Sequence, residues 1–168
     1  MRFTGWLCMM VLGCSKDGEE CSPTENGASA EATLDDASWM ANASSSWAET
    51  GSSITINLTS DSNRTINLNA STDTEGNDVA VRISEQDFPI DVDLGGSGSS
   101  YANVRLDYGT ARPPDIYVSN EEGGSGSLTI ADVDGDTLKG CFEFDGINDD
   151  NMVIEVREGQ VNIERMAR

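Results

Sequence analysis

Ser53-Ile54-Thr55-Ile56-Asn57-Leu58-Thr59, then Ser60-Asp61-Ser62-Asn63, then Arg64-Thr65-Ile66-Asn67-Leu68-Asn69 is the stretch that decides the fold. Ile54, Ile56 and Leu58 alternate with Thr55, Asn57 and Thr59, and Ile66 and Leu68 resume the alternation beyond the polar turn. A period of two places the apolar set on one side of an extended chain and the polar set on the other, the mark of a half-buried antiparallel strand. In a helix, residues two apart fall on opposite sides and no such division arises.

The same period runs outward from this stretch. Val79, Val81 and Ile83 alternate with Ala80 and Arg82; Ala102, Val104, Leu106 and Tyr108 alternate with Asn103, Arg105 and Asp107. Leu128 and Ile130 precede the turn cluster Asp132–Asp136, and Leu138, Phe142 and Phe144 follow it. Ile154 and Val156 lead to a second turn signal at Glu158-Gly159, and Val161 and Ile163 close the set. About nine or ten strands are predicted over residues 38–168, in an all-β antiparallel barrel or sandwich. The hairpins 125–144 and 152–164 are the plainest, and local pairing of this kind suits up-and-down connection, as in a lipocalin-like barrel. Gly95–Ser99 and Gly123–Ser127 repeat the same five residues and read as flexible loops.

Composition narrows the functions. The 168 residues carry 30 acids, 10 bases and no histidine, for a formal charge of −20. That field repels a phosphate backbone, so no nucleic-acid partner is expected, and it repels an anionic lipid face as well. Without histidine there is no Ser-His-Asp or Cys-His arrangement and no His-ligated zinc. No enzyme activity is expected.

The N-terminus reads as an address. One arginine, Arg2, precedes an apolar run from Phe3 to Gly13 that ends at Cys14. This is secretory-signal grammar, and the run is too short for a spanning helix, which needs about 20 apolar residues. Val11-Leu12-Gly13-Cys14 resembles the lipobox of bacterial lipoproteins, in which the chain is cut before the cysteine and its sulfur carries a diacylglycerol. Residues 1–13 are then a signal peptide, Cys14 is the lipidated first residue, and the charge falls from −20 to −21 because only Arg2 is removed. Two or more acyl chains give stable anchoring. Ser15-Lys16-Asp17-Gly18-Glu19-Glu20 resembles the surface-export signal of Bacteroidota lipoproteins, which implies an outer-membrane anchor on the cell surface; the alternative is a periplasm-facing tether. Residues 14–37 have no apolar period and read as a flexible acidic tether.

Cys21 and Cys141 remain after Cys8 leaves and Cys14 is acylated. In an oxidising compartment they are a candidate disulfide; the alternatives are two free thiols or Cys141 as a small packing residue. If Phe142 points inward, Cys141 points outward, where a tether can reach it.

Gly126-Ser127-Leu128-Thr129-Ile130, Gly140-Cys141-Phe142-Glu143-Phe144 and the run Val153–Asn162 together resemble the C-terminal signature of an uncharacterised family of Bacteroidota lipoproteins. Its pattern is Gly-Ser-x-x-Ile, then Gly-x-Phe-x-Phe, then a turn ending in Gly-x-x-Asn. Cys141 departs from it. The resemblance implies secretion, lipidation and a β-rich barrel or sandwich, and it brings no catalytic residues.

Weaker candidates remain. Asp132, Asp134 and Asp136 have the one-three-five spacing of a calcium loop, but Thr137 stands where glycine belongs. Asp145, Asp149 and Asp150 mark a second oxygen-rich loop and an equally weak calcium candidate; no other cofactor is expected. In both places the bland reading is a solvated turn. Thr137, within Asp136-Thr137-Leu138, resembles an O-glycosylation site. Trp39 and Trp47 are candidates for stacking on a ligand, against the alternative that they cap the core. The expected function is a non-catalytic envelope lipoprotein whose β-domain binds a glycan, a small apolar ligand or another envelope protein. The alternative is a structural or adhesive surface protein without a pocket, and a hydrolase stands third.

Overall fold

The computed structural model describes residues 21, 23, 29–42, 44–71, 82–95 and 98–167. Eleven strands follow in order: β1 (Ser29–Leu34), β2 (Ala37–Met40), β3 (Ser46–Thr50), β4 (Ser53–Thr59), β5 (Arg64–Ser71), β6 (Ile90–Asp93), β7 (Tyr101–Leu106), β8 (Asp115–Val118), β9 (Ser125–Asp134), β10 (Thr137–Ile147) and β11 (Val153–Glu164). A single 3-10 turn, Ile83–Glu85, lies between β5 and β6. All strand pairs are antiparallel, and nine strands run in the order β2-β1-β11-β10-β8-β7-β5-β4-β3 as a curled half-barrel.

The domain begins at Ser29, not at residue 38. Residues 29–37, expected in the tether, form β1 and its turn, because Ala30, Ala32 and Leu34 alternate inward and are buried. Alanine is a faint apolar signal, which hid the period. The turn Asp35-Asp36 has positive φ at both residues, 46° and 63°, as a two-residue hairpin of the primed kind requires. The strand expected around Val79 and Val81 lies outside the described residues, while Ile83 belongs to the 3-10 turn.

The sheet forks at β10. One edge of β10 pairs with β11 along its length, and the other pairs first with β9 and then, at Ile147, with Val118 of β8. Two layers result: β6-β9-β10-β11-β1-β2, and β3-β4-β5-β7-β8. Their inward residues form one apolar cluster, with Trp47, Phe144, Ile56, Leu68 and Leu128 among its fully buried members.

The layers meet at two seams. The first is the Ile147–Val118 pair. The second joins β3 to the residues just after β11: Trp47 and Arg165 form a parallel bridge, and the Met166 N–H donates to the Trp47 carbonyl at 2.8 Å. Ser119 adds a buried pin. Its Oγ accepts the Ala102 N–H at 2.8 Å and donates to the Leu94 carbonyl, while the Leu94 N–H donates across to Gly126 on β9 at 2.9 Å.

Residues 152–164 are one strand, not a hairpin. Glu158-Gly159 is a bulge inside β11: Phe144 faces Val156 and Phe142 faces Gly159, so one extra residue is taken up between them. Glu158 sits at φ 54° there. The glycine is needed for close approach, because a Cβ on Gly159 would lie 2.5 Å from the Phe142 carbonyl oxygen and 2.6 Å from the Phe142 ring. The second phenylalanine also faces a glycine, with Phe144 opposite Gly126 and its Cβ 2.5 Å from where a Gly126 Cβ would be. The Phe142 ring thus covers the cross-strand Gly159, a pairing that curves a sheet while keeping its inner face filled, and Gly126 lets the β9 backbone approach β10 closely. Gly126 is therefore part of a packed strand, not of a flexible loop.

Gly159→Ala should destabilise the domain by about 1–3 kcal/mol through overpacking. Chemical denaturation measures this; because the Phe142 carbonyl oxygen stays in place, adding Phe142→Leu should not restore the parent stability, and a Gly159→Ala variant as stable as the parent would contradict the close approach.

Candidate functional site

The structure places the predicted site residues as follows. Trp39 and Trp47 are 3% and 0% exposed, so neither offers a ring to a ligand from solvent, and the core alternative holds for both. Trp47 donates through Nε1 to the Asp136 carbonyl at 2.9 Å, and the Arg165 guanidinium lies 4.4 Å from its ring centroid. Arg165 also pairs with Glu49 at 3.0 Å, and the Glu49 side chain is only 2% exposed. The same carboxylate accepts from the Ser84 N–H at 3.0 Å and from the Ser84 hydroxyl at 2.8 Å. A buried carboxylate with this many donors is fully compensated, and it locks the second seam.

The calcium candidates do not converge. Asp132 and Asp134 are exposed strand residues opposite Lys139 and Thr137, and Asp136 sits in the hairpin turn. An extended strand spreads such side chains along its length, whereas a calcium loop must wrap them around one point. In the second candidate Asp145 is held by Arg157, which also reaches Glu155 at 3.3 Å, while Asp149 and Asp150 are exposed at the turn tip. Asn148 organises that turn instead, its Oδ1 accepting the Asp150 and Met152 N–H groups at 3.1 and 2.8 Å. Among the described residues, no group of three or more acids or cysteines is placed to hold a metal ion. Thr137 opens β10, half-buried between Asp134 and Glu164. Cys14 lies outside the described residues.

Cys21 and Cys141 are joined by a disulfide with their Cα atoms 5.6 Å apart. Cys141 is on the outward side of β10, between buried Gly140 and Phe142. The bond therefore straps the chain ahead of β1 to the outer wall of the first layer.

That outer wall is acidic. Outward acids occur on β1 (Glu31), β6 (Asp91, Asp93), β9 (Asp132, Asp134), β10 (Glu143, Asp145) and β11 (Glu155, Glu164). An open depression of about 530 Å³ lies where β1 meets the β11 bulge, lined by Thr33, Asp35, Asp36, Glu143, Glu155, Arg157 and Glu158.

The second layer is different. No Asp or Glu points outward from β3, β4, β5, β7 or β8. Glu49 is buried, and Asp115 lies in phase with the core-packed Tyr117 and pairs with Arg112 at 3.1 Å. The register aligns the outward residues in rows that cross the strands. One row is Ala48, Thr55, Asn69 and Tyr101. The next is Ser46, Asn57, Asn67, Asn103 and Val118. The third is Thr59, Thr65, Arg105 and Ile116. Two side-chain bonds brace the rows: Thr55 Oγ1 donates to Asn69 Oδ1 at 3.1 Å, and Asn67 Nδ2 donates to Asn103 Oδ1 at 2.9 Å.

Beside the end of this face the β7–β8 loop folds on itself. Arg112 stacks 3.6 Å from the Tyr108 ring centroid, and the Tyr108 hydroxyl donates to Asp115 at 2.9 Å. The Gly109 N–H and then the Arg105 guanidinium hold the Asp107 carboxyl below its ordinary range. Burial, reinforced by the Asp115 carboxylate, pushes the Tyr117 hydroxyl above its ordinary value.

Removing Arg165 should cost about 3 kcal/mol, because the buried Glu49 carboxylate is left without its cation, and removing Glu49 should cost less, because Arg165 is partly exposed. Equilibrium unfolding of Glu49→Ala, Arg165→Ala and the double variant tests this. Strong coupling between the two is expected, and additive losses would remove Glu49 from the seam.

No curated protein and no solved structure matches the chain. Residues 26–163 match a family described as a domain of unknown function (DUF6252), a span that starts ahead of β1 and ends within β11. The chain is a member of the DUF6252 family.

Proposed function

We propose that this protein is a lipid-anchored envelope protein whose β-domain is a non-catalytic binding module, fixed to the outer membrane through Cys14 and displayed at the cell surface. The observation that carries the reading is the Cys21–Cys141 disulfide. Structural disulfides belong to oxidising compartments, outside the cytosol. This one also sets the length of the leash. From Cys14 to Cys21 is 21 − 14 = 7 residues, at most about 25 Å fully extended. Without the bond the leash would run to Ser29, 29 − 14 = 15 residues, or about 50 Å.

A seven-residue leash attached to the outer wall of β10 turns the acidic layer toward the bilayer. Anionic lipids repel that layer, but the Debye length at physiological salt is about 8 Å, so the domain stands off without being driven away. The layer without outward carboxylates then faces the medium. The inward positions of both layers are occupied by their own apolar side chains, which favours an outer face over an interior ligand as the place of binding.

Mass spectrometry of the processed chain should show a diacylglycerol on the Cys14 sulfur, and Cys14→Ser should leave the protein uncut and out of the washed membrane fraction. A bare thiol at Cys14, or cleavage of the Cys14→Ser variant at the same site, would contradict the anchor.

A further inference from the structure

We propose that the outward face of β4, β5 and β7 is a docking surface for a neutral glycan chain, lying along the Asn57-Asn67-Asn103 row with Tyr101 at its edge. The inference rests on the reading of the domain as a binding module and names its ligand class and place.

The argument begins with charge. The acids are spread over the outer wall of the first layer and along the loops, while this face carries none. An anionic polymer would meet the field of a chain with a formal charge of −20, and a cationic one would be drawn to the acidic layer instead. A neutral polyhydroxyl chain along the Asn57-Asn67-Asn103 row can settle without desolvating a carboxylate, and the cation in the neighbouring row, Arg105, is already paired with Asp107 at 3.2 Å.

The chemistry of the face matches such a chain. Amides and hydroxyls offer donors and acceptors together, and sugar hydroxyls need both. An amide has two donor hydrogens and an acceptor oxygen with two lone pairs, so the single Asn67–Asn103 bond leaves further bonding capacity on each side chain while fixing its orientation. The Thr55–Asn69 bond does the same one row away. Groups held in place before binding lose less entropy on contact. Tyr101 continues the Asn69 row, half-buried, and gives an aromatic face for the C–H side of a sugar ring. The rows cross the strands at a spacing of about 4.8 Å from strand to strand, a regular lattice for a repeating polymer.

The disulfide ties the N-terminal segment to the outer wall of the other layer. With the proposed lipid at Cys14, this face is the one turned away from the membrane, where an extracellular polymer is found.

Affinity electrophoresis of the processed chain through gels containing dextran, mannan or galactan, with alginate and heparin as anionic controls, tests the proposal. Retardation by at least one neutral polymer and by neither anionic one is expected. Asn67→Asp, which places a carboxylate at the centre of the face, should weaken that retardation at least tenfold. Tyr101→Ser should weaken it severalfold, and Glu143→Gln on the other layer should leave it unchanged, all three variants keeping the parent's thermal midpoint. Retardation that survives both Asn67→Asp and Tyr101→Ser would overturn the placement while leaving a binding module elsewhere on the domain. So would a concentration-dependent dimer in sedimentation that Asn67→Asp dissolves, in the absence of retardation, because it would assign the face to a second copy of this chain. No retardation by any of the polymers would overturn the glycan assignment, whereas the anchor is judged separately by the mass at Cys14.

Discussion

The covalent bond between Cys21 and Cys141 is the constraint on which the rest of the arrangement depends. It closes a loop of 120 residues, for which loss of freedom in the unfolded chain stabilises the folded one by roughly 4–5 kcal/mol in the chain-entropy description. Its second effect is directional. Because Cys141 sits on the outward side of β10, the chain before the domain meets the acidic wall and not the edge of β1. The two layers therefore become unequal with respect to whatever lies at the start of the chain.

That inequality is written in side chains as well. Both layers spend their inward residues on one shared core, so they differ only outside. The first layer carries the β11 bulge, with the Phe142 ring over Gly159 and Phe144 opposite Gly126, and it carries acids on its outer face. The second layer is a plain meander in its β3-β4-β5 part, with hydroxyls and amides on its outer face. The seams that join them use ordinary means: one ladder pair at Ile147–Val118, and one buried ion pair stacked on an indole at Glu49, Arg165 and Trp47.

Much of this was legible in the residues. The alternation of Ile54, Ile56 and Leu58 marks β4 as half-buried, and the structure has each of them fully buried. The outward direction of Cys141 follows from the inward one of Phe142. Three things were not legible, each for a physical reason. β1 was hidden because its inward residues are mostly alanine. The β11 bulge resembles a turn because acid-glycine serves both, and only the partner strands decide between them. The Thr/Asn face was visible as single residues between apolar ones, yet it becomes a face only when the register lines Asn57, Asn67 and Asn103 across three strands. Trp39 and Trp47 show the converse: residue type allowed either a stacking ring or a cap on the core, and their burial decides for the core.

The proposed anchor at Cys14 requires the acidic layer to lie toward the lipid. Paramagnetic broadening of backbone amides by gadolinium-bearing headgroups, in nanodiscs carrying the lipidated chain, measures this directly. With the disulfide intact, amides of β9, β10 and β11 should broaden well before those of β4 and β5, and a reductant should shrink the difference. Equal broadening of the two layers in the oxidised protein, or earlier broadening of β4 and β5, would contradict it.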